Sequence, residues 1–252
     1  MISIRGLKKS YGDFEAVRGL DLEIPAGQVF GFLGPNGAGK TTTIKIMAGL
    51  LTPTRGSVLV GGIDVTREPL RAKAVTGFIP DTPFLFDRLT GSEFLRFMGR
   101  LYGMPAARAA AKADQYLGFF DLTQWADHLI ESYSHGMRKR LVMAGALMHG
   151  PQVVIVDEPM VGLDPRGAHK VRKLFRELAG KGITIFLTTH ELSTAQAVCD
   201  RIGIIHHGKL IALGSVAELA EAARSPGSHL EEVFLKLTLE SEGEERVLFR
   251  DL

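Results

Sequence analysis

The sequence predicts an α/β fold: a mainly parallel sheet with an antiparallel β portion at the N-terminus and an inserted α-helical lobe. Two apolar runs rich in β-branched residues, 153–156 and 183–187, do not alternate with polar residues. That pattern is typical of central strands in a parallel sheet, which is covered on both faces. From residue 90 to about residue 150 the apolar spacing is helical instead. These observations place a helical lobe within a sheet-centred core.

Short strands are predicted on both sides of that lobe. The turn Pro25-Ala26-Gly27 separates the second strand from the third, and the others are short apolar runs rich in β-formers. The predicted strands cover residues 2–7, 17–24, 28–33, 56–60, 75–79, 153–156, 183–187, 202–205 and 210–213. Their distribution leaves the lobe, about residues 88–150, as an insertion in the core.

Two capping boxes mark the start of helices. Thr90-Gly91-Ser92-Glu93 begins a helix of the lobe, and Ser215-Val216-Ala217-Glu218 begins a C-terminal helical segment. Pro105 is expected to be the first residue of another helix in the lobe. The domain boundaries that follow are residues 1–215 for the main domain and 216–252 for a short helical extension and tail.

Composition excludes several classes of protein. A formal net charge of +2 over 252 residues is too small to indicate nucleic-acid binding. The longest basic run, Arg138-Lys139-Arg140, is expected to be a solvated face. The single cysteine, Cys199, excludes an intramolecular disulfide and a cysteine metal cluster. Without a long apolar run or a secretion-signal pattern in the sequence, a cytoplasmic protein is expected.

The strongest local signal is a phosphate-binding loop that fits G-x-x-x-x-G-K-[ST] at every fixed position. A predicted strand precedes it and a predicted helix follows it. Glycine lets backbone N–H groups approach the phosphates, and the helix N-terminus favours an anion. Lys40 is expected to reach the β- and γ-phosphates, and the Thr41 hydroxyl to bind Mg²⁺. The residues expected to bind nucleotide here are Gly34, Pro35, Asn36, Gly37, Ala38, Gly39, Lys40, Thr41 and Thr42.

Two adjacent carboxylates, Asp157 and Glu158, end the apolar strand at residues 153–156. In α/β proteins, ligands bind at the carboxyl edge of the sheet. Because successive strand residues point in different directions, Asp157 can hold Mg²⁺ while Glu158 acts as general base on water. Alone, the pair could be two solvated acids. Beside a phosphate loop, it predicts a nucleoside triphosphatase with a RecA-like P-loop core.

One further element narrows the class of triphosphatase. Tyr133-Ser134-His135-Gly136-Met137 resembles the L-S-G-G-Q signature of the ATP-binding-cassette (ABC) family, with matches at Ser134 and Gly136. By itself, Ser134 also reads as the N-cap of an ordinary helix. The order and spacing of motifs over residues 1–215 support the resemblance, which implies an ABC ATPase domain there.

The resemblance implies roles for further residues. Tyr11 stands where the family keeps an aromatic residue that stacks on adenine. Asp164 lies in the segment similar to the family's D-loop, and His190 ends a strand as its switch histidine does. The catalytic residues expected from this resemblance are Glu158, His190 and Lys40, and the further nucleotide contacts are Tyr11, Ser134, His135, Gly136 and Asp164.

Two departures from the family pattern bear on the site. His135 replaces the first signature glycine and Met137 the glutamine. Asp81 stands where the Q-loop glutamine is expected. An ionised carboxylate can bind Mg²⁺ but offers no donor to a water. Asp81 is therefore either a metal ligand together with Thr41 and Asp157, or only a turn residue.

The resemblance also implies partners. Two copies, as a homodimer or a heterodimer, would pair head to tail, with Ser134 and Gly136 of one chain closing on ATP held by Lys40 of the other. ATP would join the dimer and hydrolysis would open it. An integral membrane permease would convert this cycle into transport, with the protein peripheral on the inner face of the cell membrane.

The direction of transport and the contact with the permease are expected from the same resemblance. Phe84, Leu85 and Phe86 stand where the family receives its partner's cytoplasmic helix, unless they belong to the core of the lobe. The residues at these two motif positions, Asp81 and His135, resemble those of exporter-type ATP-binding subunits with separate permeases. Export is therefore expected. The alternative is a soluble ABC ATPase acting on nucleic acid or ribosomes. A single cassette without a heptad run does not favour it, and no nucleic-acid partner is expected.

Overall fold

The computed structural model describes the backbone of residues 1–248 and the side chains of residues 1–239. The strands are β1 Ile2–Tyr11, β2 Phe14–Ile24, β3 Val29–Leu33, β4 Arg55–Val60, β5 Ile63–Asp64, β6 Thr76–Ile79, β7 Val153–Asp157, β8 Thr184–Thr188, β9 Arg201–His206 and β10 Lys209–Gly214. The helices are α1 Lys40–Met47, α2 Pro69–Ala74, α3 Gly91–Leu101, α4 Ala106–Phe119, α5 His135–Leu147, α6 Pro165–Gly180, α7 Leu192–Val198, α8 Val216–Ala222 and α9 Leu230–Leu248. Short 3₁₀ turns cover Thr123–Trp125 and Ile130–Ser132.

The strands form two sheets, as the predicted fold class requires. The larger sheet has the order β10-β9-β3-β8-β7-β6 and is parallel except for β10. The smaller sheet, β2-β1-β4-β5, is antiparallel. Every residue of β3 and β8 is buried, because the central strands are covered on both faces. The α/β class with an N-terminal antiparallel portion is confirmed.

The lobe contains α3, α4 and α5, which pack against one another. Thr90 and Glu93 form the expected capping box at the start of α3. Pro105, predicted as the first residue of a helix, is instead the N-cap residue of α4, which begins one residue later at Ala106. Four elements, β5, α2, α6 and α7, have no counterpart among the predicted ones. Of these, β5 and α2 are too short to carry a periodic apolar signal.

The C-terminal helices lie against the large sheet. The Ser215–Glu218 capping box begins α8, as expected, and α9 packs on α7, α8, β9 and β10. Leu230 and Val233 of α9 are fully buried in the core. The boundary between residues 1–215 and 216–252 stays a prediction, and residues 249–252 of the predicted tail lie outside the described residues. In the part of the chain that the structure describes, no helix has the length and apolarity to span a membrane.

The sheet brings distant segments of the chain to one edge. Strands β3, β8, β7 and β6 are consecutive neighbours and run in the same direction. Across these pairs, Thr188 lies opposite both Phe32 and Asp157, and Val156 lies opposite Ile79. The segments that follow these four strands therefore meet at the carboxyl edge of the sheet, where α/β proteins bind their ligands.

Candidate functional site

The loop after β3 turns sharply into α1, and two of its glycines are required by close backbone contacts. A Cβ at Gly34 would lie 2.3 Å from the carbonyl oxygen of Ile205. Gly39 has φ +108°, and a Cβ there would lie 2.5 Å from the carbonyl oxygen of Ala16. No side chain of the described chain caps the N-terminus of α1, and its first turn carries no acidic residue. Its first N–H groups and its dipole can therefore serve an anion.

Lys40 lies folded over this loop. Its Nζ donates to the carbonyl oxygens of Gly34 at 2.5 Å and Pro35 at 2.9 Å. Burial lowers the pKa of Lys40, and the nearby carboxylates of Glu158 and Asp157 oppose that shift. The ammonium group thus lies between the loop and the carboxylates, where phosphate oxygens can replace the two carbonyl acceptors.

The carboxylate pair follows β7, next to the end of β8. The Thr188 hydroxyl donates to Oδ1 of Asp157, and the Glu158 N–H donates to the carbonyl oxygen of Thr188 at 3.0 Å. Glu158 has φ +50°, a left-handed conformation that costs a non-glycine residue about 1–2 kcal/mol. Strain of this kind concentrates at functional sites. It turns the Glu158 side chain away from the direction that a regular strand would give it.

Glu158 and His190 are in direct contact. The His190 N–H donates to Oε1 of Glu158 at 3.0 Å, and the ring Nδ1 of His190 lies 2.9 Å from the same oxygen. The hydrogen bond to Glu158 raises the pKa of His190. The second oxygen of Glu158, Oε2, is buried and has no hydrogen-bond partner among the described residues. A buried carboxylate oxygen without a partner is the group expected to accept a bond from a bound water.

These residues surround a cavity of about 320 Å³. Its lining consists of Tyr11, Phe14, Ala16, Asn36, Gly37, Gly39, Lys40, Thr41, Thr42, Asp81, Asp157 and Glu158. The structure therefore brings together the predicted phosphate loop, the carboxylate pair, Asp81 and Tyr11. Phe14 was not predicted; it lies opposite Tyr11 across the turn between β1 and β2, and both rings are about half exposed or more. The position of Phe14 directly after the two-residue turn that follows Tyr11 is the sequence feature that could have indicated a second aromatic residue at this site.

The signature segment lies elsewhere. Ser134 caps α5 by accepting a hydrogen bond from the Met137 N–H at 3.3 Å, as expected. His135 packs closely on Gly162, where a Cβ would lie 2.2 Å from the imidazole ring. Asp164 caps α6 by accepting from the Gly167 N–H at 3.0 Å. Within the described residues, this cluster does not line the cavity that holds Lys40 and Glu158.

Comparison with known proteins identifies the family. The family model described as ABC transporter matches residues 17–161. The chain belongs to the ABC transporter family. It is an ATP-binding subunit with ATPase activity, as its motifs predicted.

The cassette is similar to ATP-binding proteins of resistance and export systems. It is 44% identical over 227 residues to the daunorubicin/doxorubicin resistance ATP-binding protein DrrA of Streptomyces peucetius, covering 89% of this chain and 68% of that protein. It is 39% identical over 219 residues to the Nod factor export ATP-binding protein I of Ralstonia nicotianae, covering 87% and 68%. A solved structure of the ATP binding subunit of an ABC transporter superposes with a TM-score of 0.90 at 30% identity, covering 94% of this chain and 99% of that one.

The expectation that the basic run of the cassette is a solvated face is wrong, because none of its three residues is exposed and Lys139 is fully buried. Arg138 donates to Asp87, just before the lobe, and to the carbonyl oxygen of Ile130 within it. Lys139, in contrast, has a side chain with 0% exposure. Its ammonium group donates to the carbonyl oxygens of Asp81 and Asp157, two residues that line the 320 Å³ cavity. The run was misjudged because charge and spacing do not reveal which acceptors other segments deliver.

The aromatic segment of the cassette before the lobe is exposed. Phe84 is 84% exposed and Phe86 is 56% exposed, whereas Leu85 packs against the core. Phe86 meets Phe97 of α3 edge to face, with ring centroids 5.6 Å apart. Both phenylalanines line a cavity of about 350 Å³ that is walled mainly by apolar side chains. For Phe84 and Phe86, the alternative of a place in the lobe core is thereby excluded.

Proposed function

We propose that this cassette binds ATP with Mg²⁺ in the cavity between Lys40 and Glu158, hydrolyses the ATP, and drives a separate integral membrane permease. The observation that carries the proposal is the Glu158 carboxylate. One of its oxygens is held by His190, and the other is buried with no hydrogen-bond partner among residues 1–239, in the cavity that the phosphate loop also lines. A carboxylate held in this way fits the role of a general base on a water that attacks the γ-phosphate.

Binding of the nucleotide rests on the phosphate loop and on Tyr11. The N–H groups at the start of α1 and the ammonium of Lys40 would hold the phosphates. Tyr11 and Phe14 stand exposed at the same cavity, so Tyr11 would stack on the adenine ring. Thr42, in the first turn of α1, would contribute its N–H group.

Three side chains of the cavity suit a magnesium ion: Thr41, Asp81 and Asp157. No cluster of three or more His, Cys, Asp or Glu side chains that could hold a metal occurs in the described part of the chain. Protein oxygens would thus supply only part of the coordination. This fits Mg²⁺, which usually binds one or two carboxylates together with substrate phosphates and waters. When bound, the ion would neutralise charge that develops on the phosphate oxygens.

The signature segment would serve a second copy of the cassette. Ser134, His135 and Gly136 lie at the start of α5, away from the cavity of their own chain, and Gly162, two residues before Asp164, packs against His135. A helix N-terminus favours an anion, so this cluster suits the γ-phosphate of ATP bound by another chain. The functional unit would then be a homodimer or heterodimer that closes on two ATP molecules and opens after hydrolysis.

The permease would bind at Phe84 and Phe86. Exposed aromatic side chains beside an apolar cavity are typical of a surface that receives a partner helix. The cassette would therefore be peripheral on the inner face of the membrane. Similarity to a Nod factor export protein and to a daunorubicin/doxorubicin resistance protein supports export as the direction of transport.

The proposal is tested by Glu158→Gln. The amide keeps the size of the side chain but accepts a proton poorly, so single-turnover hydrolysis should fall by about 10²–10⁴-fold while ATP affinity is kept. The variant should accumulate as an ATP-bound dimer in size-exclusion chromatography, because opening requires hydrolysis. Lys40→Ala is the matched control: it should lose nucleotide binding and stay monomeric with ATP and Mg²⁺ present.

Two results would count against different parts of the proposal. Near-normal turnover by Glu158→Gln would move the general base elsewhere, with His190 the next candidate. A Glu158→Gln protein that binds ATP without turnover and never dimerises would leave the base in place but exclude the shared site.

A further inference from the structure

Lys139 lies on α5 and is fully buried, although two arginines flank it in the sequence. Lysine is rarely buried unless its charge is paired or fully hydrogen-bonded. A lysine in this position therefore requires a specific set of acceptors. The residue takes no part in the roles proposed above and does not line the nucleotide cavity within the described residues.

The ammonium group of Lys139 has three backbone acceptors. Its Nζ donates to the carbonyl oxygens of Asp81 at 2.9 Å, Pro80 at 3.1 Å and Asp157 at 3.3 Å. An ammonium group has three N–H donors, so each has an acceptor. In addition to these bonds, the carboxylate oxygen Oδ1 of Asp81 lies 3.8 Å from Nζ of Lys139. Burial lowers the pKa of Lys139, and the carboxylates of Asp81, Asp157 and Glu158 oppose that shift.

These contacts join three segments at the site. Asp81 follows β6 and Asp157 ends β7, the neighbouring parallel strand. Asp81 and Asp157 are two of the three proposed magnesium ligands. Lys139 itself belongs to the helix that begins at the signature residue Ser134. One side chain thus links the helix that faces a second copy to the two loops that carry the metal-binding carboxylates.

We infer that Lys139 is a positioning residue for ATP hydrolysis: it fixes the loop carrying Asp81 against the end of β7 and ties both to the signature helix. It would act through Asp81 and Asp157, since its bonds go to their carbonyl oxygens and not to the nucleotide cavity. The inference rests on the proposed function of the site. Placement errors of about 1 Å in a catalytic group can cost about 10²-fold in rate.

The experiment compares Lys139→Met with Arg138→Met. Methionine keeps an unbranched stem of similar length but removes the charge and the three donors. Lys139→Met should lower single-turnover hydrolysis at saturating ATP by about 10-fold or more and raise the Mg²⁺ concentration for half-maximal rate, while the Kd for ATP changes less than about threefold. Arg138→Met removes a cation from the preceding position, whose side chain donates to Asp87 and Ile130 and not to the carbonyl oxygens of Asp81 or Asp157. It should leave the rate and the magnesium dependence within about threefold of the wild type.

If Lys139→Met does not fold, as judged from its Tm, Lys139→Gln is measured in its place, because the glutamine amide keeps two N–H donors. A rate at least about threefold lower, with an unchanged Kd for ATP, supports the inference. A folded Met or Gln variant with wild-type rate and magnesium dependence overturns it, as does an equal loss of rate and affinity. Failure of the proposed function is separate: it would appear as equal hydrolysis by the wild type and Glu158→Gln, whatever Lys139 does.

Discussion

Oε1 of Glu158 accepts the His190 N–H at 3.0 Å and lies 2.9 Å from the His190 ring Nδ1. The backbone N–H and the ring of His190 therefore both contact one carboxylate oxygen of Glu158. The backbone of Glu158 is itself in a left-handed conformation. The other oxygen, Oε2, is buried and accepts no hydrogen bond from the side chains or backbone that the structure describes. We therefore expect His190 to orient the proposed general base.

His190→Ala should therefore slow hydrolysis more than it weakens ATP binding. Removing the ring leaves Glu158 with the backbone contact only, and a misoriented base is expected to lower the rate by about 10–100-fold. Single-turnover hydrolysis and equilibrium ATP binding measure the two effects. His128→Ala, which removes an exposed histidine of the lobe, is the control. An unchanged rate in His190→Ala would show that Glu158 needs no orientation from the ring.

Asp81→Ala should raise the Mg²⁺ concentration needed for half-maximal hydrolysis with little change in ATP binding. The substitution removes the carboxylate but keeps the carbonyl oxygen that Lys139 binds, so the loop should stay in place. Asp81→Gln should restore much of the activity, because an amide oxygen can still bind the ion. Titration of the rate with Mg²⁺ measures both. A lower Tm with unchanged magnesium dependence would instead assign Asp81 to the turn alone.

Phe84→Asp and Phe86→Asp should release the permease without loss of nucleotide binding. Both rings are exposed in the free cassette, so a carboxylate there is hydrated and the fold should tolerate it. In a packed contact, the same unpaired charge would cost several kcal/mol. Co-purification from solubilised membranes measures retention, and Leu235→Asp, at an exposed leucine of α9, is the control. If both variants retained the permease at the wild-type level, the permease would not bind at Phe84 and Phe86.

His149 should make the fold less stable in acid. Its ring stacks on Tyr102 at 3.8 Å, and burial lowers its pKa to about 4 from an ordinary value of 6.5. In the unfolded chain His149 binds a proton near its ordinary pKa. As the pH falls, the unfolded state therefore binds this proton at a higher pH than the folded state does. Stability is therefore lost as the pH falls from about 6.5 towards 4.

His149→Phe isolates this effect, because it keeps an aromatic ring against Tyr102 and removes the titration. The Tm of the variant should fall less between pH 6.5 and 4 than that of the wild type. Carboxylates that titrate in the same range contribute to both proteins and cancel in the difference. Parallel curves for the two proteins would contradict the lowered pKa.

The sequence by itself determined the strands of the core and the chemistry of two loops. Apolar runs without alternation predict buried parallel strands, and β7 and β8 are buried along nearly their whole length. The phosphate loop and the pair Asp157-Glu158 are contiguous in the chain, so their residue types and order can be read directly. The parallel sheet then requires their loops to meet at one edge.

The tertiary structure alone decided which of the site's side chains and backbone groups touch, and it added Lys139 to them. Lys139 meets Asp81 across 58 residues of sequence, and His190 meets Glu158 across 32. Such contacts depend on which backbone groups distant strands deliver to one place, and periodicity within a window does not carry that information. The same reason explains why a basic run that looked solvated holds a buried lysine, and why Phe84 and Phe86 are exposed. Burial is a property of the assembled layers, whereas the motifs are properties of short segments.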